Sequence, residues 1–122
     1  MTNRRIGHAV AWAAVLLLSA CASQQEQALY HWNGYNNMLY AHLRGDKPLG
    51  EQITAAERYF QGAQSKKQRV APGAHAHLGM LMTKAGQADR ARAQFEEEKR
   101  LFPESSVFMD FLLKHEQGGK TP

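Results

Sequence analysis

Apolar residues recur along most of the chain at intervals of three or four, the spacing of one face of an α-helix. Segments with this period are separated by Gly or Pro, which interrupt helices. The sustained alternation of apolar and polar residues that marks a half-buried strand is not found. The pattern predicts an all-α domain of about five helices.

The clearest pattern lies at 72–105 and matches the tetratricopeptide repeat, a 34-residue helical hairpin. Five positions agree with the repeat in register: Leu78, Gly79, Ala91, Phe95 and Pro103. Gly79 and Ala91 lack bulk, so the two helices of the hairpin can approach closely. Gly86 can adopt the left-handed conformation that ends the first of them. We therefore expect a tetratricopeptide-like hairpin in this segment.

A degenerate copy of the repeat is predicted over 29–71. The residues that repeat its spacing are Trp32, Tyr35 and Leu39 in the first helix, with Ala56 and Phe60 in the second. The two halves are eight residues further apart than the repeat requires, and the segment RGDKPLGE is expected to form an expanded turn. Within it, Asp46 and Pro48 are residue types that favour a helix start.

The segment 105–116 predicts a terminal helix that Ser105 or Ser106 caps, followed by a flexible tail at 118–122. Apolar residues surround nearly the whole of this helix: Val107, Phe108, Met109, Phe111, Leu112 and Leu113. Such a helix needs cover on most sides, from the repeats or from a partner. The helical domain is thus expected to occupy 29–117.

The first twenty residues, 1–20, have the order of an export signal. Arg4 and Arg5 precede an uncharged run, Ala9–Leu18, and small residues follow it. That run is much shorter than the roughly 20 apolar residues that span a bilayer, so removal is expected rather than retention. Two interpretations other than a lipoprotein signal stay open for this segment: an ordinary secretory signal and an uncleaved anchor helix.

The end of the signal, Leu18-Ser19-Ala20-Cys21, resembles the lipobox of bacterial lipoproteins. The resemblance implies that Cys21 carries the lipid and becomes the mature N-terminus, with 21–28 as a polar tether and the membrane as its first partner. Cys21 is the only cysteine, so a disulfide within the chain is excluded. Ala22 follows it, and not the aspartate that marks inner-membrane retention in enteric lipoproteins. The expected location is therefore the outer membrane, facing the periplasm.

Charge does not indicate a nucleic-acid partner. The formal net charge of the chain is +4, and removal of Arg4 and Arg5 with the signal leaves +2. An exported protein would also meet lipid headgroups or other proteins rather than nucleic acid. The basic run at 65–69 is interpreted as a solvated loop, with contact to anionic headgroups as the alternative.

No catalytic residue, cofactor or metal ligand is predicted, and the chain is not expected to be an enzyme. His75 and His77 are two residues apart, and helical positions with that spacing point to different sides. Glu96 and Arg100 are expected to pair on a solvated helix face. Glu98 falls on the apolar stripe, where it either pairs with a buried donor or rests its stem on the core.

The remaining candidate activity is protein contact. Tetratricopeptide proteins bind peptides on a concave face formed by the first helices of successive repeats. By register this face would present Asn33, Asn37, Tyr40, Met80, Thr83 and Lys84. The terminal helix adds a second candidate surface, formed by Phe108, Phe111 and Leu112.

Three segments, LYHWNGY, APGAHAHLGML and FEEEKRLFPESSVFMDFLL, resemble a family of small Gram-negative outer-membrane lipoproteins that carry a domain of unknown function. The resemblance covers most of the mature chain and supplies no catalytic or binding residues. It implies another envelope protein as partner, with a lipoprotein similar to the curli-secretion channel as one candidate. We expect an adaptor or assembly factor for an envelope or secretion complex; the alternative is a structural lipoprotein that binds peptidoglycan or lipid directly.

Overall fold

The computed structural model describes residues 28–118, and Cys21 with its signal lies outside this range. The elements in chain order are β1 (Tyr30–His31), α1 (Tyr35–Arg44), α2 (Leu49–Ser65), β2 (Arg69–Val70), α3 (Ala74–Lys84), α4 (Ala88–Leu101), a 3-10 turn (Pro103–Ser105) and α5 (Ser106–Gly118). The described part is mostly helical, and the predicted all-α class is confirmed.

Each helix packs mainly on its neighbours in the chain, and the contact between α3 and α4 is the most extensive. The buried core runs along this array and draws residues from all five described helices: Met38, Ala56, Tyr59, Ala71, Ala74, Ala76, Leu78, Leu81, Met82, Ala91, Phe95, Met109 and Leu113. No helix within the described range is long and apolar enough to cross a membrane.

The hairpin of α3 and α4 has the close contact that its sequence predicts. A methyl group added at Gly79 would lie 2.4 Å from a ring carbon of Phe95, which is itself 1% exposed. Ala91 is fully buried in the same hairpin. Gly86 follows α3 with φ of 73°, the left-handed conformation expected of it. The small residues are therefore explained by the space between the helices.

The start of the first hairpin differs from the prediction. Gly34 adopts φ of 83°, and α1 begins only at Tyr35. Trp32 therefore lies before the helix and not in its first turn, because the left-handed residue ends the preceding segment. The match of Trp32 to the repeat was thus a match of spacing and not of helical position.

The turn between α1 and α2 is shorter than predicted. Only 45–48 form the turn, and Leu49 already begins α2. Pro48 stands at the helix start, as expected of a residue with fixed φ. Asp46 instead forms an ion pair with Arg44, with 3.1 Å between Oδ2 and Nε.

A two-stranded parallel pair, absent from the prediction, joins β1 to β2. Tyr30 lies opposite Arg69 and His31 opposite Val70. The Tyr59 hydroxyl donates to the carbonyl of His31 and accepts from the backbone N–H of Ala71, both at 2.7 Å. Burial raises the pKa of this hydroxyl above its ordinary value. Tyr59 thus joins β1 to the residue that directly follows β2, from within α2.

The terminal helix begins differently from the prediction. The hydroxyls of Ser105 and Ser106 donate to the carbonyls of Phe102 and Pro103, whereas an N-cap hydroxyl accepts from a backbone N–H of the helix that follows. The backbone makes a 3-10 turn there, which Pro103 favours at its first position. The helix buries Met109 and Leu113 on one face. Its other face leaves three apolar side chains largely exposed: Val107, Phe108 and Phe111.

The predicted ion pair on α4 involves a different partner. Arg100 donates to both carboxylate oxygens of Glu97, at 2.7 and 2.6 Å, and not to Glu96. Positions three apart share a helix face as well as positions four apart do. The bond from Arg100 lowers the pKa of Glu97 below its ordinary value.

Candidate functional site

An apolar groove of about 440 Å³ lies between α1, α3 and the beginning of α5. These are the first helices of the two hairpins and the helix that follows them. The groove is lined by Leu39, Pro72, Gly73, Ala76, His77, Met80, Glu98, Phe102, Glu104, Ser105, Phe108 and Met109. We call it the α1–α3–α5 groove. Its volume is within the range of sites that hold small ligands or peptide side chains.

The wall of this groove is formed by adaptable apolar side chains. Met80 and Leu39 are partly buried, and Phe108 is 52% exposed. Met109 and Phe102 are buried beneath them. Methionine has an unbranched, flexible side chain that adjusts to different partner shapes. The groove therefore offers an apolar contact surface with some freedom to adapt.

Glu98 lies at the base of the groove and is 2% exposed. Its Oε1 accepts the backbone N–H of Gly73 at 2.6 Å, and its Oε2 accepts that of Ala76 at 3.3 Å. These groups belong to the first turn of α3, which has no side-chain cap of its own. Of the two alternatives for Glu98, the structure thus shows pairing with buried donors. Both carboxylate oxygens are used in holding α3.

His77 contributes a second buried polar group beside the groove. It is 3% exposed, and within the described residues its Nε2 has no hydrogen-bond partner. Its ring contacts that of His42 edge to face, with 4.9 Å between centroids. Burial, with smaller contributions from His42 and Lys84, lowers the pKa of His77 to about 4. The imidazole is therefore uncharged at neutral pH.

The two histidines of α3 contact different helices. His75 packs on the ring of Phe60, with 4.5 Å between centroids, and its Nδ1 lies 2.7 Å from Oε1 of Gln94. His77 faces α1 instead. Within the described range, no group of three His, Cys, Asp or Glu residues is placed to hold a metal ion.

Of the residues predicted to contact a partner, two line the α1–α3–α5 groove. Met80 and Phe108 line the α1–α3–α5 groove, although they come from the two separate surfaces of the prediction. Asn37 lines a different depression between α1 and α2, together with Thr54 and Arg58. The physical reason is that Leu39 takes the groove side of α1, so that Asn37, two positions away, points elsewhere.

The other predicted contact residues also lie outside the groove. Asn33 lines a small pocket near β1. Tyr40 is 66% exposed, and Thr83 and Lys84 are exposed in the last turn of α3. On α5, Phe111 stacks beside Phe108 and Leu112 packs against the core. A role for these residues in binding stays a prediction, as does lipidation of Cys21.

Several lining residues were not predicted to contact a partner, and the most important are Leu39, Ala76 and Phe102. Ala76 and Met80 are four apart on α3, so one of them identifies the face that carries the other. A groove position is harder to predict for Phe102 than for Ala76, because an aromatic residue just before Pro103 is equally typical of a helix end. Only the packing of α5 against α4 shows that it borders a groove.

Comparison with known proteins gives one match. A search of curated proteins and a search of solved structures each found none. A family model, described as a domain of unknown function (DUF4810), matches residues 29–112. This range contains all of the groove-lining residues. The chain therefore belongs to the DUF4810 family.

Proposed function

We propose that this protein is a periplasm-facing lipoprotein of the outer membrane that acts as an adaptor or assembly factor for an envelope or secretion complex. The observation that carries the proposal is the α1–α3–α5 groove, an apolar surface between the first helices of successive hairpins. Its proposed occupant is an apolar segment of another envelope protein. A lipoprotein similar to the curli-secretion channel is one candidate for that partner.

The exposure of Phe108 supports this role. About half of this aromatic side chain is accessible, and it stands at the edge of the groove beside buried Met109. Aromatic side chains at the centre of an interface contribute much of its binding energy. A partner segment that covers Phe108 and Met80 would remove apolar surface from water and gain free energy in proportion to the area covered.

The proposal is non-catalytic, and the state of the polar groups near the groove supports it. The two oxygens of Glu98 already accept backbone N–H groups. The imidazole of His77 is uncharged at neutral pH, and its Nε2 is shielded inside the protein. Neither group is presented to a bound molecule in the way that acid–base chemistry requires.

Photocrosslinking tests the adaptor proposal. A benzophenone amino acid in place of Phe108 or Met80 is expected to form adducts with a specific envelope protein in intact cells. The control is the same residue in place of Ala93, which is exposed on α4 outside the groove. Once the partner is identified, Phe108→Ala should weaken its binding by roughly tenfold or more. Equal adducts from all three positions, or none from Phe108 and Met80, would contradict the proposal.

The anchor has its own test. Replacing Cys21→Ser is expected to move the protein from the membrane fraction to the soluble periplasmic fraction, because the acyl chains supply the bilayer affinity. Ser23→Ala, two residues beyond, changes a hydroxyl outside the lipobox pattern and should leave the protein in the membrane. Continued retention of the Cys21→Ser variant with an uncleaved N-terminus would show an anchor helix instead.

A further inference from the structure

Acidic residues are missing from two long stretches of the chain that meet at one end of the domain. None occurs between Ala28 and Gly45, and none between Arg58 and Ala88. Pairing of β1 with β2 brings these stretches together. The charged side chains that these two stretches contribute beside the strand pair are therefore cationic.

Four cationic side chains belong to this region: Arg58, Lys66, Lys67 and Arg69. All are exposed, and none forms an ion pair with a carboxylate of the described residues. Arg58 and Lys66 line a pocket of about 250 Å³ beside Asn33. The guanidinium of Arg69 lies 5.2 Å from the ring centroid of Tyr30 in β1.

Exposed apolar side chains accompany these cations. Leu29 is 63% exposed and Trp32 is 50% exposed, directly before and after β1. Trp32 is held by edge-to-face contacts with Tyr30 and Tyr35, at 6.1 and 5.4 Å between centroids. We call these two residues and the four cations the basic end.

The dipole of α2 accounts for the positions of only two of the four cations in the basic end. Lys66 and Lys67 follow the last residue of α2, where a positive charge interacts favourably with the helix dipole. Arg58 lies in the middle of α2 and Arg69 in β2, so neither gains from that helix end. The exposure of Trp32 and Leu29 has no such local reason either.

We propose that the basic end is a docking surface for anionic phospholipid. The four cations face headgroup phosphates, and Leu29 and Trp32 enter the boundary between headgroups and acyl chains. Tryptophan is enriched at this depth in membrane proteins because its ring is amphipathic. Basic side chains near an anionic bilayer surface add affinity that falls with ionic strength. Charge complementarity and the exposed aromatic ring thus select the same partner.

The chain between Cys21 and the basic end is short, which fits a basic end that faces the membrane. The described residues begin at Ala28, next to Leu29, so Leu29 and Trp32 of the basic end are close to Cys21 along the chain. Seven residues at most about 3.6 Å each span no more than about 25 Å. The proposed anchor at Cys21 would therefore bring this end, and not the opposite one, to the bilayer. The docking surface goes beyond that anchor and can be tested without it.

Vesicle binding of the acyl-free segment 22–122 tests the surface. The core of the described residues lies within this segment, and Trp32 is the segment's only tryptophan. We expect it to co-sediment with vesicles that contain one part phosphatidylglycerol to two parts phosphatidylcholine, and to bind neutral phosphatidylcholine vesicles far more weakly. Brominated acyl chains should quench Trp32 in the anionic vesicles.

Two matched double variants test whether vesicle binding depends on the basic end. Lys66→Gln with Lys67→Gln should weaken partitioning by about thirtyfold, since each lysine near such a surface contributes about a factor of five. Arg92→Gln with Lys114→Gln removes two exposed cations from α4 and α5 and should leave partitioning within about twofold of the parent. Equal weakening by both pairs, equal binding to neutral vesicles, or no binding to anionic vesicles in 50 mM salt would overturn the proposal. None of these outcomes depends on whether Cys21 is lipidated.

Discussion

Lowering the pH from 7 to 4 is expected to reduce the free energy of unfolding by about 3 kcal/mol through His77 alone. The folded protein holds the pKa of this imidazole at about 4, whereas the ordinary value for histidine is 6.5. Between these values the unfolded chain binds a proton that the folded chain does not. Stability from this group is therefore complete above pH 6.5 and is lost as the pH falls towards 4.

The measurement is urea unfolding at several pH values, for the parent protein and for His77→Phe. The variant keeps an aromatic ring against His42 but cannot be protonated, so its loss of stability between pH 7 and 4 should be smaller by the stated amount. His115→Gln, on the exposed side of α5, should follow the parent curve. If His77→Phe and the parent lost equal stability over this range, the burial of an uncharged imidazole would not explain the acid sensitivity.

Replacing Glu98→Ala is expected to lower the free energy of unfolding by about 3 kcal/mol at pH 7. The substitution removes two charge-assisted hydrogen bonds and leaves the N–H groups of Gly73 and Ala76 without acceptors. It also removes a negative charge from the positive end of the α3 dipole. Glu98→Gln retains one acceptor oxygen and the side-chain shape, so about half of the loss is expected.

The control for this substitution lies on the same helix. Glu96 is exposed and has no carboxylate bond to α3, so Glu96→Ala should change stability by less than about 0.5 kcal/mol. Urea unfolding of the three variants at pH 7 gives the comparison. A Glu98→Ala protein as stable as Glu96→Ala would mean that water replaces the carboxylate at no cost.

The helices were predictable because their signals are local. The Gly79–Phe95 contact follows from a small residue on one helix and an aromatic residue at the matching position of the next. Gly86 likewise ends α3 through its own backbone freedom. Such features depend on residues within one hairpin. The spacing of apolar residues and the positions of Gly and Pro are therefore enough to predict them.

The strand pair was not predictable in the same way. Each strand has two residues, too few to show a period, and its supporting contacts come from distant positions. Nδ1 of His31 lies 2.8 Å from Oε1 of Gln68, thirty-seven residues away. The hydroxyl of Tyr59, in α2, donates to the carbonyl of His31. The same limit applies to the α1–α3–α5 groove, whose walls come from three helices that do not follow one another in the chain. Register alone placed Met80 there but could not show that Leu39 and Phe102 complete the surface.

The Tyr59 bridge has a mechanical consequence. A pull on the chain before Ala28 reaches β1 first, and β1 passes the load to β2 and to the hydroxyl of Tyr59. Because Tyr59 belongs to α2, the load also reaches that helix directly. The strand pair and the Tyr59 bonds thus join the start of the described domain to α2 and to the segment that leads into α3. Since Tyr30 of β1 also packs on Phe102 at the edge of the groove, a force on the N-terminus of the domain would be felt at the groove as well.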